Sequence, residues 1–217
     1  MKRLILLSFL DKEIICSILE KLGKKRNLEI ISFSGLYKLL NEQENRLIRS
    51  FLKLNPRDFG FKGKFIGTGT VPKNLIFIDG QFLSRPAWLA FWEMHENLYI
   101  DTGKRLKIFE GYRSPACQAI IFLRCLKDND FNFFKTATRV AFPGYSEHGD
   151  PVNPAIDFCT ANSALSNIGP QNFEKTEEYK WLIQNANKYG FYLSYPEGNG
   201  DEIMFEPWHW RFNDNSK

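Results

Sequence analysis

The sequence is poor in the residue types that mark several common kinds of site. Its 217 residues include only four cysteines and three histidines. The cysteines, at positions 16, 117, 125 and 159, form no C-x-x-C pair, which argues against a zinc ribbon or a thioredoxin-type redox site. We therefore expect free, buried thiols, with Cys117 and Cys125 about two helical turns apart on one helix face.

Long apolar runs and charge of one sign are also missing. No stretch reaches the ~18 apolar residues of a membrane-spanning helix, so we expect no transmembrane segment. The 29 basic and 25 acidic residues are mixed along the chain and leave a net charge of only +4. A nucleic-acid-binding protein usually carries a basic stripe, so we expect no nucleic-acid partner. The composition leaves the oligomeric state open.

The N-terminal stretch "MKRLILLSFL" permits two interpretations. Its basic start and short apolar run resemble a minimal signal peptide, although no small-x-small cleavage site follows. The alternative, which we favour, is a β-strand followed by a helix, "DKEIICSILEKLGKK", a second strand, "LEIISFS", and a second helix, "LNEQENRLIRSFLKL". Residues 1–60 are thus predicted to form an α/β appendage. The Gly-, Pro- and Lys-rich stretch "NPRDFGFKGKFIGTGTVPKN" is typical of a linker.

Beyond the linker, helical patterns alternate with short strands and form no long βαβ series, which predicts an α+β fold. One loop in this part, "SEHGDPVNPAIDF", separates His148 from Asp157 by eight residues. A lone carboxylate between Ile156 and Phe158 is costly unless a cation or hydrogen bonds compensate it, and a metal ion would do so. A surface histidine and a capping aspartate are the alternative.

The stretch "MFEPWHWRF", near the C-terminus, places Glu206 and His209 among large aromatic rings. In a regular strand the two side chains would point to opposite faces, but Pro207 favours a bend that brings Glu206 toward His209. His209 could then complete a His, Asp, His set with His148 and Asp157, as in catalytic zinc sites with three protein ligands. Glu206 would lie beside the metal as a general base. A terminal aromatic strand with incidental polar residues is the alternative.

Arg113 and His95 are two further residues whose side chains can carry positive charge. Arg113 follows the apolar strand of "RLKIFEGYRS" and could bind a carboxylate through a two-pronged contact, or form only a surface ion pair. His95, in the helix "WEMHENL", has no acid at metal-ligand spacing, and we expect it to be structural.

Four stretches in order, "GYRS", "GYSEH" with "AIDF", "WLIQNANKYGFYLSYPEG" and "EPWHWRF", resemble the zinc D-alanyl-D-alanine carboxypeptidase family. That family includes vancomycin-resistance carboxypeptidases and LD-carboxypeptidases, and it shares a fold with the hedgehog signalling domain. The resemblance covers about residues 75–217. It implies a small antiparallel sheet flanked by helices and a catalytic domain at residues 61–217, with residues 1–60 as an appendage of unknown role.

The resemblance also implies roles for single residues. A Zn²⁺ ion would be held by His148, Asp157 and His209. Glu206 would be the catalytic base and would later protonate the leaving amine. Arg113 would stabilise the scissile carbonyl or anchor the substrate carboxylate.

The substrate contacts implied by the resemblance are Ser146, Arg113 and Gln118. The family usually has six residues between its first histidine and the aspartate, where this chain has eight. Asn153 replaces a family glycine, and asparagine tolerates the left-handed backbone conformation better than most residues. The longer loop could change substrate preference.

These observations predict a zinc-dependent D-alanyl-D-alanine carboxypeptidase that acts on peptidoglycan stem peptides. Two alternatives remain. The first is an LD-carboxypeptidase or peptidoglycan endopeptidase that uses the same site. The second is a zinc-stabilised binding module without catalysis. The substrate argues for the cell envelope or periplasm, whereas the weak signal peptide leaves a cytoplasmic location possible.

Overall fold

The structure of the protein is a computed structural model that describes residues 10–22, 31–67, 69, 71–161, 170–199 and 204–213. The α-helices, in chain order, are α1 (Leu10–Leu22), α2 (Phe33–Leu39), α3 (Glu42–Phe51), α4 (Arg85–Thr102), α5 (Pro115–Asp128), α6 (Phe133–Ala137), α7 (Pro170–Phe173) and α8 (Glu177–Asn185). The strands are β1 (Leu75–Ile78), β2 (Gln81–Ser84), β3 (Leu106–Glu110), β4 (Ala155–Thr160), β5 (Phe191–Leu193) and β6 (His209–Phe212). Short 3₁₀ turns cover Pro56–Phe59, Glu147–Gly149 and Ala186–Tyr189. Within the described residues, none of the helices combines the length and hydropathy needed to span a bilayer.

The chain divides into two compact units. The first contains the residues up to Val71 together with Ser114–Ser146, and the second contains Pro72–Arg113 together with the residues from Glu147 onward. The first unit thus combines the segment predicted as an appendage with α5 and α6. The roles assigned to residues 1–60 and 61–217 stay predictions.

The first unit is built from helices around an aromatic core. Phe122, on α5, lies 4.4 Å from Phe142 and 5.1 Å from Phe51 between ring centroids. Phe59 and Phe61 are buried in the same cluster. The stretch predicted as a linker therefore contributes to this core, because its aromatic side chains gain more from burial than from exposure.

Of the helices and strands predicted for residues 1–60, the structure confirms the helices but not the described part of the second strand. Helix α3 lies within the second predicted helix, whereas α1 begins one residue before the first predicted helix and ends inside it. The predicted first strand, residues 3–10, lies outside the described residues except for Leu10, which begins α1. The predicted strand "LEIISFS" is wrong where it is described, because α2 begins at Phe33. The Ser32 hydroxyl caps this helix by accepting a hydrogen bond from the Gly35 N–H at 3.2 Å.

The second unit contains a four-stranded antiparallel sheet in the order β3-β4-β6-β5 and a separate β1-β2 hairpin. The expected α+β fold, a small antiparallel sheet with helices, is thus confirmed. Side chains alternate along each strand, so one face of the sheet buries Ile156 and Phe158 of β4 with Trp210 and Phe212 of β6. This face packs in one core with α4, represented by Phe91.

The opposite face of β4 and β6 carries the polar residues that the sequence singled out. Asp157 lies between two core residues of β4, and the register places it opposite His209 of β6. Arg211, two residues after His209, pairs with Ala155 and lies on the same face. The alternation that buries the apolar residues therefore also gathers the charged ones.

One buried carboxylate in the first unit supports a stability prediction. Glu44 of α3 is 1% exposed and accepts hydrogen bonds from Lys21 Nζ at 2.6 Å, Ser17 Oγ at 2.8 Å and the Asn41 N–H at 2.8 Å. Burial raises the pKa of Glu44, but the three hydrogen bonds and the charge of Lys21 lower it by a larger amount. The net pKa therefore lies below the usual 4.5.

We expect Glu44→Ala to lower the free energy of unfolding by about 1–3 kcal/mol, measured by urea denaturation at neutral pH, because the three groups that donate to this buried carboxylate lose their acceptor. Glu42→Ala is the matched control on the same helix. Glu42 is 84% exposed and pairs with Arg46, so its loss should change little. Because folding depresses the pKa of Glu44, its contribution should be present above pH 4.5 and decline as acid protonates the carboxylate. Equal effects of the two substitutions would contradict this account.

Candidate metal centre

Three predicted ligands come together in the second unit. His148 lies in the 3₁₀ turn, Asp157 in the middle of β4 and His209 at the start of β6. Their exposed fractions are 2%, 9% and 5%. The strand pairing brings Asp157 and His209 together, and the turn before β4 adds His148.

The distances suit a single divalent ion. His148 Nε2 lies 3.3 Å and His209 Nδ1 2.9 Å from Asp157 Oδ1. The three candidate ligand atoms all lie within 4.8 Å of one another, the one such group among the described residues. Two imidazole nitrogens and one carboxylate oxygen form a donor set that zinc accepts, so these residues fit the ion that the sequence predicted.

A backbone carbonyl orients the first imidazole. His148 Nδ1 donates to Gly111 O at 2.9 Å, which leaves Nε2 to face Asp157. Gly111 itself lies close to β2, and a Cβ added there would lie 2.3 Å from Phe82 O. Only glycine permits this approach, so the hairpin helps to place the carbonyl that holds His148.

The second imidazole lies between two carboxylates. His209 Nδ1 faces Asp157 Oδ1, and its Nε2 lies 3.2 Å from Glu147 Oε2. Burial lowers the pKa of His209, but the hydrogen bonds and charges of these carboxylates raise it to about 10. The site therefore favours positive charge. A divalent cation meets the same demand when it replaces the proton on Nδ1.

The pKa values of the two carboxylates, Asp157 and Glu147, are lowered, whereas that of His209 is raised. Burial raises the pKa of Asp157, but the charges and hydrogen bonds of His148 and His209 outweigh it and hold the pKa well below its usual range. Burial likewise raises the pKa of Glu147, while His209 and Arg211 bring it down to about 2. Both groups are therefore anionic at neutral pH, as a metal ligand and its supporting acceptor must be.

Glu206 lies outside the strand, in a turn before β6. The His209 N–H donates to Glu206 O at 3.0 Å, and this turn at Pro207 is the bend that the sequence predicts. Glu206 Oε2 consequently lies 3.9 Å from His209 Nδ1. Burial and the negative charges of Asp157 and Glu147 raise the pKa of Glu206 against the opposing effect of His209 and Arg113. A raised pKa suits a group that must both accept and donate a proton.

The other predicted residues are divided between the units. Arg113 is half-buried, its backbone N–H donates to His148 O at 3.0 Å, and its charge acts on Glu206. Ser146 and Gln118 belong to the first unit. Gln118, on α5, is 1% exposed and donates from Nε2 to Ala141 O at 2.6 Å. Their substrate contacts stay predictions.

Several residues around the site were not predicted. Glu147 and Arg211 are hydrogen-bonded to each other, and the Tyr195 ring stacks on His209 with centroids 5.1 Å apart. Strand alternation would have found Arg211, because it lies two residues after His209. Glu147 and Tyr195 carry no comparable signal, and the Gly111 carbonyl has no side chain by which a sequence could mark it.

Comparison with known proteins agrees with this geometry. Residues 81–215, more than half of the chain, match the family model for VanY, D-alanyl-D-alanine carboxypeptidase. The chain belongs to the VanY family. The resemblance seen in the sequence is thereby confirmed.

Similar proteins and solved structures provide a scale for the likeness. The chain is 40% identical over 134 residues to a D-alanyl-D-alanine carboxypeptidase of Enterococcus faecium, covering 60% of this chain and 37% of that protein. It is 30% identical to the solved LD-carboxypeptidase LdcB, with a TM-score of 0.54 over 65% of this chain and 68% of that one. It is 27% identical to the D,D-dipeptidase VanXYg, solved with a D-Ala-D-Ala phosphinate analogue, with a TM-score of 0.53 over 65% and 56%. The chain spans less than two-fifths of the length of the curated relatives it matches.

The turn in the loop between His148 and Asp157 is stabilised by a side chain and not, as expected, by a left-handed backbone conformation at Asn153. Asn153 in this VanY-family chain does not adopt a positive φ, so its tolerance of the left-handed region is not used. Instead, Asp150 Oδ1 accepts the backbone N–H groups of Val152 at 2.9 Å and Asn153 at 3.0 Å. A side-chain carboxylate therefore closes the turn.

We expect the protein to bind about one zinc ion per chain, and His148→Ala to abolish this binding because one of the three predicted ligands is lost. Equilibrium dialysis with metal analysis measures both. His95→Gln is the control: His95 is buried in the same unit but pairs through Nε2 with Arg105 at 2.9 Å. It should keep its zinc. Zinc retained by His148→Ala at wild-type affinity would exclude this histidine as a ligand.

Proposed function

We propose that this protein is a zinc-dependent carboxypeptidase that releases the terminal D-alanine from D-alanyl-D-alanine peptides of peptidoglycan. The observation that carries the proposal is the buried His148, Asp157, His209 group with Glu206 beside it, in a chain of the VanY family. A zinc ion held by two histidines and an aspartate leaves room for water and substrate, which is the arrangement of catalytic rather than structural zinc.

When bound, zinc supplies a Lewis acid that polarises the scissile carbonyl and increases the acidity of water. We assign to Glu206 the role of taking a proton from the attacking water, and the distance of 3.9 Å between its carboxylate and the Nδ1 atom of His209 supports this role. The water oxygen bonds to the carbonyl carbon, and the carbon–nitrogen bond then breaks. Glu206 returns the proton to the leaving amine. Its raised pKa supports this double role.

Arg113 supplies the positive charge that the reaction needs on the substrate side. Its backbone is tied to His148 O, so the guanidinium is carried by the same framework as the metal ligands. It would stabilise the negative charge that develops on the carbonyl oxygen, or bind the C-terminal carboxylate of the peptide. We assign further substrate contacts to Ser146 and Gln118, as the family resemblance implies.

The substrate assignment is supported by the relatives. One solved structure at 27% identity contains a phosphinate analogue of D-Ala-D-Ala. Stem peptides that end in D-Ala-D-Ala are components of the cell wall, so we propose that the protein acts outside the cytoplasm.

We expect Glu206→Gln to keep its zinc but to release D-alanine about 10²–10⁴ times more slowly from a pentapeptide ending in D-Ala-D-Ala. The amide preserves size and cannot accept the proton. Mass spectrometry of the product and metal analysis of the same sample measure both effects.

Glu93→Gln, an exposed substitution on α4, is the control and should leave turnover unchanged. Unchanged turnover in Glu206→Gln would refute the role of Glu206. Release of D-alanine only from a tetrapeptide with an L,D bond would favour an LD-carboxypeptidase, and cleavage that frees no single amino acid would favour an endopeptidase. Zinc binding without cleavage of any of these peptides would favour a binding module.

A further inference from the structure

A network of ionic side chains lies behind the candidate metal ligands. Glu147 uses both carboxylate oxygens: Oε2 lies 3.2 Å from His209 Nε2, and Oε1 accepts from Arg211 Nη1 at 3.2 Å. Only 15% of the Glu147 side chain is exposed, so neither contact is a loose surface pair. Glu147 contacts the nitrogen of His209 that faces away from Asp157, which places it behind the ligand rather than among the ligands.

Arg211 joins the two parts of the chain that supply the histidines. It lies two residues after His209 on β6, on the same face of the sheet. Its guanidinium also donates from Nη2 to Asp150 Oδ2 at 2.5 Å and from Nε to Asn153 O at 3.2 Å. Its three acceptors therefore all belong to the segment that flanks His148. Lysine, with a single point charge, could not reproduce this fork.

Asp150 extends the same network into the loop. One of its oxygens accepts from Arg211, and the other closes the turn by accepting the backbone N–H groups of Val152 and Asn153. The guanidinium of Arg211, together with the hydrogen bond from the Phe212 N–H to Pro154 O at 2.9 Å, thus holds the loop between His148 and Asp157 to β6. The rings of His148 and His209 lie 4.8 Å apart at an interplanar angle of 77°.

We propose that Glu147 and Arg211 are positioning residues of the metal centre. Glu147 holds the proton of His209 on Nε2, so that Nδ1 is free to bind the metal. Arg211 holds Glu147 in place and fixes the loop of His148 against the strand of His209. This inference rests on the proposed function, because it assumes that His148, Asp157 and His209 bind zinc.

The test compares zinc affinity in four variants, measured by competition with a chromophoric chelator. Glu147→Ala and Arg211→Lys should each weaken zinc binding about 10–100-fold, as expected when a metal-bound histidine loses its supporting acceptor. Glu147→Gln keeps an acceptor oxygen and should lose less. Glu96→Gln is the control, because Glu96 forms an ion pair with Arg105 at 3.4 Å in the same unit and should leave the affinity unchanged.

NMR distinguishes the loss of the hydrogen bond between Glu147 and His209 from a general loss of protein stability in the variants. In the zinc-loaded wild type, NMR should show a slowly exchanging proton on His209 Nε2, which becomes fast-exchanging in Glu147→Ala. Glu147→Gln should retain it, and this variant carries the test if Glu147→Ala does not fold.

The outcomes distinguish the two proposals. Wild-type affinity in both Glu147→Ala and Arg211→Lys, with zinc bound normally by the unmodified protein, would overturn the positioning role and leave the proposed function intact. Equal losses in Glu147→Ala and Glu147→Gln would overturn the assignment of the hydrogen bond. A wild-type protein that binds no zinc would overturn both proposals.

Discussion

The site depends on the burial of one carboxylate. Asp157 lies in β4 between Ile156 and Phe158, which are both fully buried in the core, and it is itself only 9% exposed. An anion in this position is stable only when positive charge and hydrogen bonds compensate it. The imidazoles of His148 and His209 lie within 3.3 Å and 2.9 Å of one carboxylate oxygen and supply both. The same arrangement suits a divalent cation, because the charge that stabilises Asp157 is also the charge that the three ligands can share.

The sheet brings the other residues of the proposed site close to Asp157. Alternation along β6 buries Trp210 and Phe212 in the core, and so presents His209 and Arg211 on the opposite face. The turn that begins β6 brings Glu206 beside the ligands without making it one of them. One short strand and its preceding turn thus carry the proposed ligand His209, the proposed base Glu206 and the neighbouring cation Arg211. This strand and turn lie within residues 81–215, the part of the chain that matches the VanY family model.

The sequence allowed the grouping of His148, Asp157 and His209 to be predicted better than the individual helices and strands of residues 1–60. His148, Asp157 and Glu206 were singled out because polar residues among apolar ones carry a strong physical signal, and the bend at Pro207 followed from the missing amide hydrogen. The helix at Phe33–Leu39 was missed because an apolar stretch of this length fits a strand or a helix, and the cap at Ser32 decided the outcome. Supporting contacts were missed for another reason. Apart from Arg211, which strand alternation places on the face of His209, they depend on loop geometry and on a backbone carbonyl, which a single sequence does not display.

The most direct test of the account is a crystal structure of the zinc-loaded protein with anomalous scattering recorded at the zinc edge. The account predicts one strong peak, about 2.0–2.2 Å from His148 Nε2, His209 Nδ1 and an oxygen of Asp157. Glu206 should lie near the ion without binding it. A peak at other residues, or a zinc ion bound through His209 Nε2, would contradict it.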